Sequence, residues 1–328
     1  MSSSAIAFLA LLAAWSAIAP AAPALALPIA CEMGKSCVLQ NYVDHDPGPG
    51  ARDYRCGRLT YNGHKGTDIR VIDLPAFRKG VPVLAAAAGR VRAIRDGMPD
   101  ASVRDAGSAS VAGREAGNSV VIEHGEGWET QYAHMRNGSV TVRQGERVEA
   151  GQPLGNAGLS GNTEFPHLHF ELRYRGKTVD PFVGLAARAS CEPGHDPLWS
   201  AQALGALAYV PTGILGTGFS ASLPRLTDGS VDADSMEPLS ASSPSAIFWA
   251  QVYGAQKDDV EELRLIAPDG RVLAERRASI ARDMAQSLAY IGLRRGPWPA
   301  GAYRGEYALY RGSPEKKIIS FTAGTRIK

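Results

Sequence analysis

Polar and apolar positions alternate with period two along "HLHFELRY", residues 167–174. Side chains on a strand point to opposite faces in turn. Leu168, Phe170, Leu172 and Tyr174 therefore share an apolar face, and His167, His169, Glu171 and Arg173 share the other. The same short period, broken by glycine turns, recurs from Gly63 to Phe182. "VPVLAAAAGRVRAI" predicts a strand pair, and "NSVVIEHGEGWETQYAHM" predicts two strands around Gly125-Glu126-Gly127, with Trp128, Thr130, Tyr132 and His134 on one face. "VTVRQGERVEAGQPLG" reads as strand, turn, strand, and the HLH strand is followed by an Arg-Gly-Lys turn and a short strand. No long helical periodicity interrupts this pattern. Residues 96–117 are small and polar and predict an inserted surface loop.

A second run of strand patterns follows a compositional shift. "AIFWAQVYG", "EELRLIAPDGRVLAER", "AQSLAYIGL", "GAYRGEYALYR" and "KKIISFTAG" predict five strands with Asp269-Gly270 as a hairpin turn. Their regular spacing predicts a small β-sandwich, immunoglobulin-like in type. The stretch before it, "LGALAYVPTGILGTGFSASLPRL", reads as packed connection or first strand. Trp249, Trp298, Tyr303 and Tyr307 read as sandwich core, with carbohydrate stacking as the alternative role.

Composition sharpens this picture at the N-terminus. Residues 5–30 are apolar and uncharged, but the uninterrupted part, Ala5 to Ala19, is short for a membrane span, and Pro20, Pro23 and Pro28 break the rest. Ala24-Leu25-Ala26 is a small-x-small cleavage pattern, so the segment reads as a secretory signal peptide cut near Ala26 or Ala30, with a retained anchor as the alternative. Four cysteines, Cys31, Cys37, Cys56 and Cys191, follow it. In an exported chain they predict two disulfides, with Cys31–Cys37 plus Cys56–Cys191 preferred among three pairings. A net charge of +2 with 21% charged residues gives no sign of a nucleic-acid partner. At 328 residues the chain is long enough for two domains.

Candidate chemistry lies in separated patches. "GHKGTDIRV" places His64 and Asp68 on a turn running into a strand. Imidazole and carboxylate are both good zinc ligands, and one histidine of HLH supplies a third, leaving its neighbour for proton transfer. "LGNAGLSGN", with Gly155, Gly158 and Gly161, reads as an open, flexible approach to the HLH strand, with plain turn chemistry as the alternative and the preferred one for any single glycine. His124 reads as structural, and His45 in "DHD" as part of a loop; residues 41–46 could also fold over the cleft as a self-inhibitory segment.

Taken in order, "GHKGTDI", "PVLAAAAGRV", "GNSVVIEHGEGWETQYAHM", "GERVEAGQPLGNAGLSG" and "PHLHFEL" resemble the M23 family of zinc metallopeptidases, the LytM/lysostaphin-type peptidoglycan endopeptidases. The resemblance spans about residues 61–182. It implies one Zn2+ per chain held by His64, Asp68 and His169, with His167 as general base and His134 assisting the polarised carbonyl or water. It further implies a peptidoglycan peptide substrate and a mainly β, antiparallel LytM-type domain. Since the family also contains members that only activate other hydrolases, a non-catalytic regulator or wall-binding protein is the alternative. A secreted peptidase acting on proteins shares the same chemistry. The resulting division is 1–26 signal peptide, 27–60 lead-in, 61–190 peptidase domain, 191–242 connection and 243–328 β-sandwich. The expected location is periplasmic or extracellular, with no stable membrane span after cleavage.

Overall fold

The computed structural model describes residues 22–185, 196–294 and 296–328. The frame of the first domain is an antiparallel sheet. Its main strands are β1 (Cys37–Asn41), β2 (Thr67–Val71), β3 (Gly89–Arg95), β4 (Asn118–Gly125), β5 (Trp128–Met135) and β6 (His167–Tyr174). They lie in the order β1-β2-β6-β5-β4-β3, continued by Arg147–Val148, while Lys177–Val179 pairs with the outer part of β6. The hairpin predicted at Gly125-Glu126-Gly127 joins β4 to β5. The alternation in β6 works as expected: Leu168, Phe170 and Leu172 are buried in one core with Val120, Ile122, Trp128 and Tyr132.

The lead-in is more than a loop. Strand β1 pairs with β2 along Cys37↔Val71, Val38↔Arg70 and Leu39↔Ile69, then slips so that Asn41 faces Asp68. Residues further back are also built in. Leu25 and Ile29 are buried in the same core, Leu25 donates its N–H to Leu198 O, and Leu84 donates to Pro28 O. A cut after residue 26 would remove Leu25 from this packing, and a cut after residue 30 would remove Ile29 as well. The rest of the expected leader, residues 1–21, lies outside the described residues.

The Cys31–Cys37 disulfide is formed and closes the turn leading into β1. The second expected bridge, Cys56–Cys191, falls on Cys191, which lies outside the described residues. His195 lies there too. His45 bonds across to the end of the domain, with Nε2 2.7 Å from the buried Asp180 carboxylate. The 96–117 insertion is mostly exposed and is tied down by Asp100, which accepts from the Leu159 and Asn137 amides.

Beyond residue 196 the chain forms a sandwich of two antiparallel sheets. The first has the order β7 (Gly213–Ser220), β8 (Ser245–Ala255), β11 (Met284–Arg294); the second runs β10 (Val272–Ser279), β9 (Val260–Ile266), β12 (Gly301–Arg311), β13 (Lys316–Ile327). Strand β7 lies within the 191–242 connection and is the first strand that the stretch "LGALAYVPTGILGTGFSASLPRL" offered as one of its two readings. Phe248, Val252, Leu263, Leu265 and Leu309 fill the interior. Trp249, Trp298, Tyr303 and Tyr307 are all buried, so none of these rings offers an open face to a sugar. Among the described residues, no helix is long and apolar enough to cross a membrane.

Candidate metal centre

Strands β2 and β6 pair with Asp68 opposite His169 and Arg70 opposite His167. Period-two alternation puts all four on the same face of the sheet. Most polar faces of antiparallel sheets meet water, yet here His64, Asp68, Arg70, His134 and His167 are buried. A buried charge needs a compensating partner, and the arrangement of donors shows what partner it suits.

His64, Asp68 and His169 converge from the turn before β2, from β2 and from β6. His64 Nε2 lies 3.2 Å from His169 Nδ1 and 3.2 Å from Asp68 Oδ2, and His169 Nδ1 lies 2.8 Å from Asp68 Oδ1. A tetrahedral zinc site with bonds of roughly 2.0–2.1 Å needs donor separations of about 3.3 Å. The residues present therefore fit zinc in chemistry and spacing. Packing backs the arrangement: a Cβ on Gly66 would sit 2.6 Å from the His169 ring, so a glycine is required between the two candidate ligands of "HKGTD".

His134, His167 and His169 form a second convergent group. The rings of His134 and His167 are 4.6 Å apart between centroids. The position of His134 was not legible from alternation. Tyr132 and Trp128 face the apolar core, and a regular strand would send His134 after them. Instead the pairing slips between Asn118↔Met135 and Val120↔Tyr132, and His134 adopts φ 59°. Such a bulge re-aims a side chain, and a positive φ in a non-glycine residue costs energy that concentrates at functional sites. His134 thus leaves the face shared by Trp128, Thr130 and Tyr132 and joins His167 and His169.

Backbone carbonyls set the ring tautomers. His64 Nδ1 donates to Tyr42 O at 2.7 Å, leaving Nε2 with its lone pair toward the other ligands. His134 Nδ1 donates to Ser160 O at 2.8 Å. His167 Nδ1 lies 3.0 Å from Phe165 O and 3.0 Å from Thr163 Oγ1. These outer acceptors orient the rings as metal sites require. Sequence could not name them because carbonyls carry no residue signature. In addition, Asn41 Nδ2 donates to Asp68 Oδ2 at 2.9 Å, so the segment suspected of self-inhibition does reach the ligand set.

Electrostatics follow from burial and neighbours. Burial would raise the Asp68 carboxyl, but the His64 and His167 imidazoles and hydrogen bonds from His167 and His169 outweigh it and hold it well below the usual carboxylate range. His64 is raised: burial disfavours its charge, yet Asp68 more than compensates. Burial, reinforced by His167 and His169, pushes His134 well below the ordinary histidine value. A neutral His134 with Nδ1–H on Ser160 presents an acceptor at Nε2. In that form Nε2 accepts a hydrogen bond, and it donates only after gaining a proton.

The glycine loop is a correction of another kind. A Cβ on Gly158 would lie 2.2 Å from Arg136 N, so this loop is glycine-rich because two backbones touch, rather than to stay open. His124 sits apart from the centre, bonded to Ala88 O and Thr130 Oγ1.

Comparison with known proteins agrees with this geometry. Residues 62–181 match the model of Peptidase family M23. The chain is 39% identical over 98 residues to the cell division protein DipM of Caulobacter vibrioides, covering 27% of this chain and 16% of that protein. It is 36% identical over 126 residues to the murein hydrolase activator NlpD of Escherichia coli, covering 38% of this chain and 27% of that one. To the peptidoglycan DD-endopeptidase ShyA of Vibrio cholerae it is 40% identical over 78 residues, covering 24% and 18%. The chain thus spans well under half the length of these relatives. Residues 62–181 are a peptidase family M23 domain.

Proposed function

We propose that the protein is an exported zinc endopeptidase that hydrolyses peptide bonds in the stem peptides or cross-bridges of peptidoglycan. The observation that supports this most is the convergence of His64, Asp68 and His169 at metal-donor spacing beside two further histidines. In this reading His64, Asp68 and His169 hold the ion. When bound, zinc supplies a Lewis acid that makes water nucleophilic near neutral pH. His167, tethered through Nδ1, accepts the water proton at Nε2 and delivers it to the leaving amine, a task suited to an imidazole. His134 accepts a second hydrogen bond at Nε2, orienting the water or the tetrahedral centre. The formed disulfide fits a compartment outside the cytoplasm.

The regulator reading has a specific basis: one relative is named a murein hydrolase activator, another an endopeptidase. The complete donor set favours hydrolysis. Mass analysis of muropeptides after incubation with the protein, with and without a chelator, decides between them. Chelator-sensitive cleavage is expected; intact muropeptides in the presence of zinc would transfer the assignment to the regulator.

A further inference from the structure

The centre opens into a cleft of about 560 Å³ whose lining comes from both domains. Asp68, His134 and His167 line one side, and Gln256, Asp283 and Ala285 of the sandwich line the other. The sandwich is fixed against the peptidase sheet by several independent contacts. Leu215 of β7 and Tyr253 of β8 belong to the same buried cluster as Phe170 and Trp128. Arg70, beside the ligands, is fully buried and donates to Gly229 O at 2.6 Å, Ser230 Oγ at 3.0 Å and Gln286 Oε1 at 2.9 Å, all beyond the peptidase domain. Its guanidinium also stacks 4.3 Å from the centre of the Phe165 ring, two residues before His167. Gly229 comes so close that a Cβ there would lie 2.8 Å from Phe165 Cβ. Arg58 pairs with Asp283 at the mouth.

We infer that the C-terminal sandwich is the substrate-facing wall of the metal cleft and that it restricts the site to short, flexible peptide segments, with Gln256, just after β8, and Ala285, at the start of β11, setting the width. The inference rests on the hydrolytic reading for its choice of substrate. A docking site held by a shared core and a buried arginine is rigid, unlike the small, polar contacts that let domains swing. A cleft of this size encloses one small-molecule-sized ligand. It therefore admits a stem peptide or cross-bridge and excludes the surface of a folded protein. Ala285 is exposed to the cleft, so a larger side chain there can be added without disturbing the sandwich interior.

The test uses the full-length mature protein and soluble cross-linked muropeptides. Ala285→Trp is expected to lower kcat/KM by at least about tenfold, chiefly through KM, with zinc content and Tm as in the parent, while Ala285→Ser retains parental values. Should Ala285→Trp fail to fold, Gln256→Trp, just after β8, takes its place. Equal kcat/KM in parent and tryptophan variant overturns the wall. Calorimetric binding of the same muropeptides to chelator-treated protein separates this from the hydrolytic reading. A parent that binds but never cuts, with binding abolished in Ala285→Trp, upholds the wall and removes hydrolysis. A parent that neither binds nor cuts removes both.

Discussion

The two β regions of this protein use the same backbone rule to opposite ends. In the sandwich, alternation sends Phe248, Val252, Leu263 and Leu265 inward and leaves charged residues outside, in pairs such as Arg277–Glu262 and Arg264–Glu306. In the peptidase sheet, the face opposite the apolar core is also buried, yet it holds His64, Asp68, Arg70, His134 and His167. Exposed pairs of the first kind are worth little. Buried polar groups of the second kind are costly unless each finds a partner. The sheet pays that cost where it departs from regularity, at the slip that brings Asn41 to Asp68 and the bulge that turns His134. Chemistry sits at the irregular edge of a regular fold.

The sharpest break of this contrast is Asp68→Ala. It removes the one carboxylate of the candidate ligand set, and zinc content should fall to near zero with activity lost by more than about a hundredfold, measured by metal analysis and muropeptide cleavage. His167→Ala comes next: zinc should stay at parental content while kcat drops by about 10²–10⁴. Zinc retention with full kcat would remove His167 as the base.

Leu263→Ala tests the other region. It empties part of the sandwich interior and should cost about 2–5 kcal/mol in denaturant unfolding. Zinc content of the folded fraction should be unchanged, because Leu263 packs in a buried cluster separate from that of the peptidase sheet. An equal loss of zinc would show that the two regions are one energetic unit.

The smallest effect concerns His124, whose pKa burial lowers despite the hydrogen bond to Ala88 O. With the folded value depressed, the unfolded chain takes up the proton first. Stability is therefore complete above the unfolded value near 6.5 and falls as pH drops below it. His124→Gln should flatten the slope of Tm below about pH 6.5. An unchanged slope would assign that pH dependence to another group.

Asn41 sharpens the question of self-inhibition. Deleting residues through Gly50 would remove β1 and the buried Leu25 and Ile29, so loss of activity there would be uninformative. Asn41→Ala removes only the hydrogen bond to Asp68. A rise in cleavage rate in that variant would mark the segment as inhibitory.

Much of this was legible in the chain. The alternation of "HLHFELRY" placed His167 and His169 together, and the short spacing of "HKGTD" placed His64 and Asp68 at the mouth of a strand, because both signals are local. Other features were not. The strand in the lead-in is too short and too polar in context to declare itself. The glycines of β7 left its stretch readable as either a connection or a first strand. The tautomer-setting carbonyls of Tyr42, Ser160 and Phe165 have no sequence mark at all.

By itself, the sequence determined the antiparallel character of both regions and the identities of the donor residues, since side-chain period and chemistry are carried by neighbouring positions. Tertiary structure alone decided that His134 turns away from the core, that Arg70 is sealed beneath a second domain, and that this domain walls the cleft. Those outcomes depend on contacts between separate elements, from the 26 positions between His134 and Ser160 to the 216 between Arg70 and Gln286, whose pairing is fixed by packing and not by any local pattern.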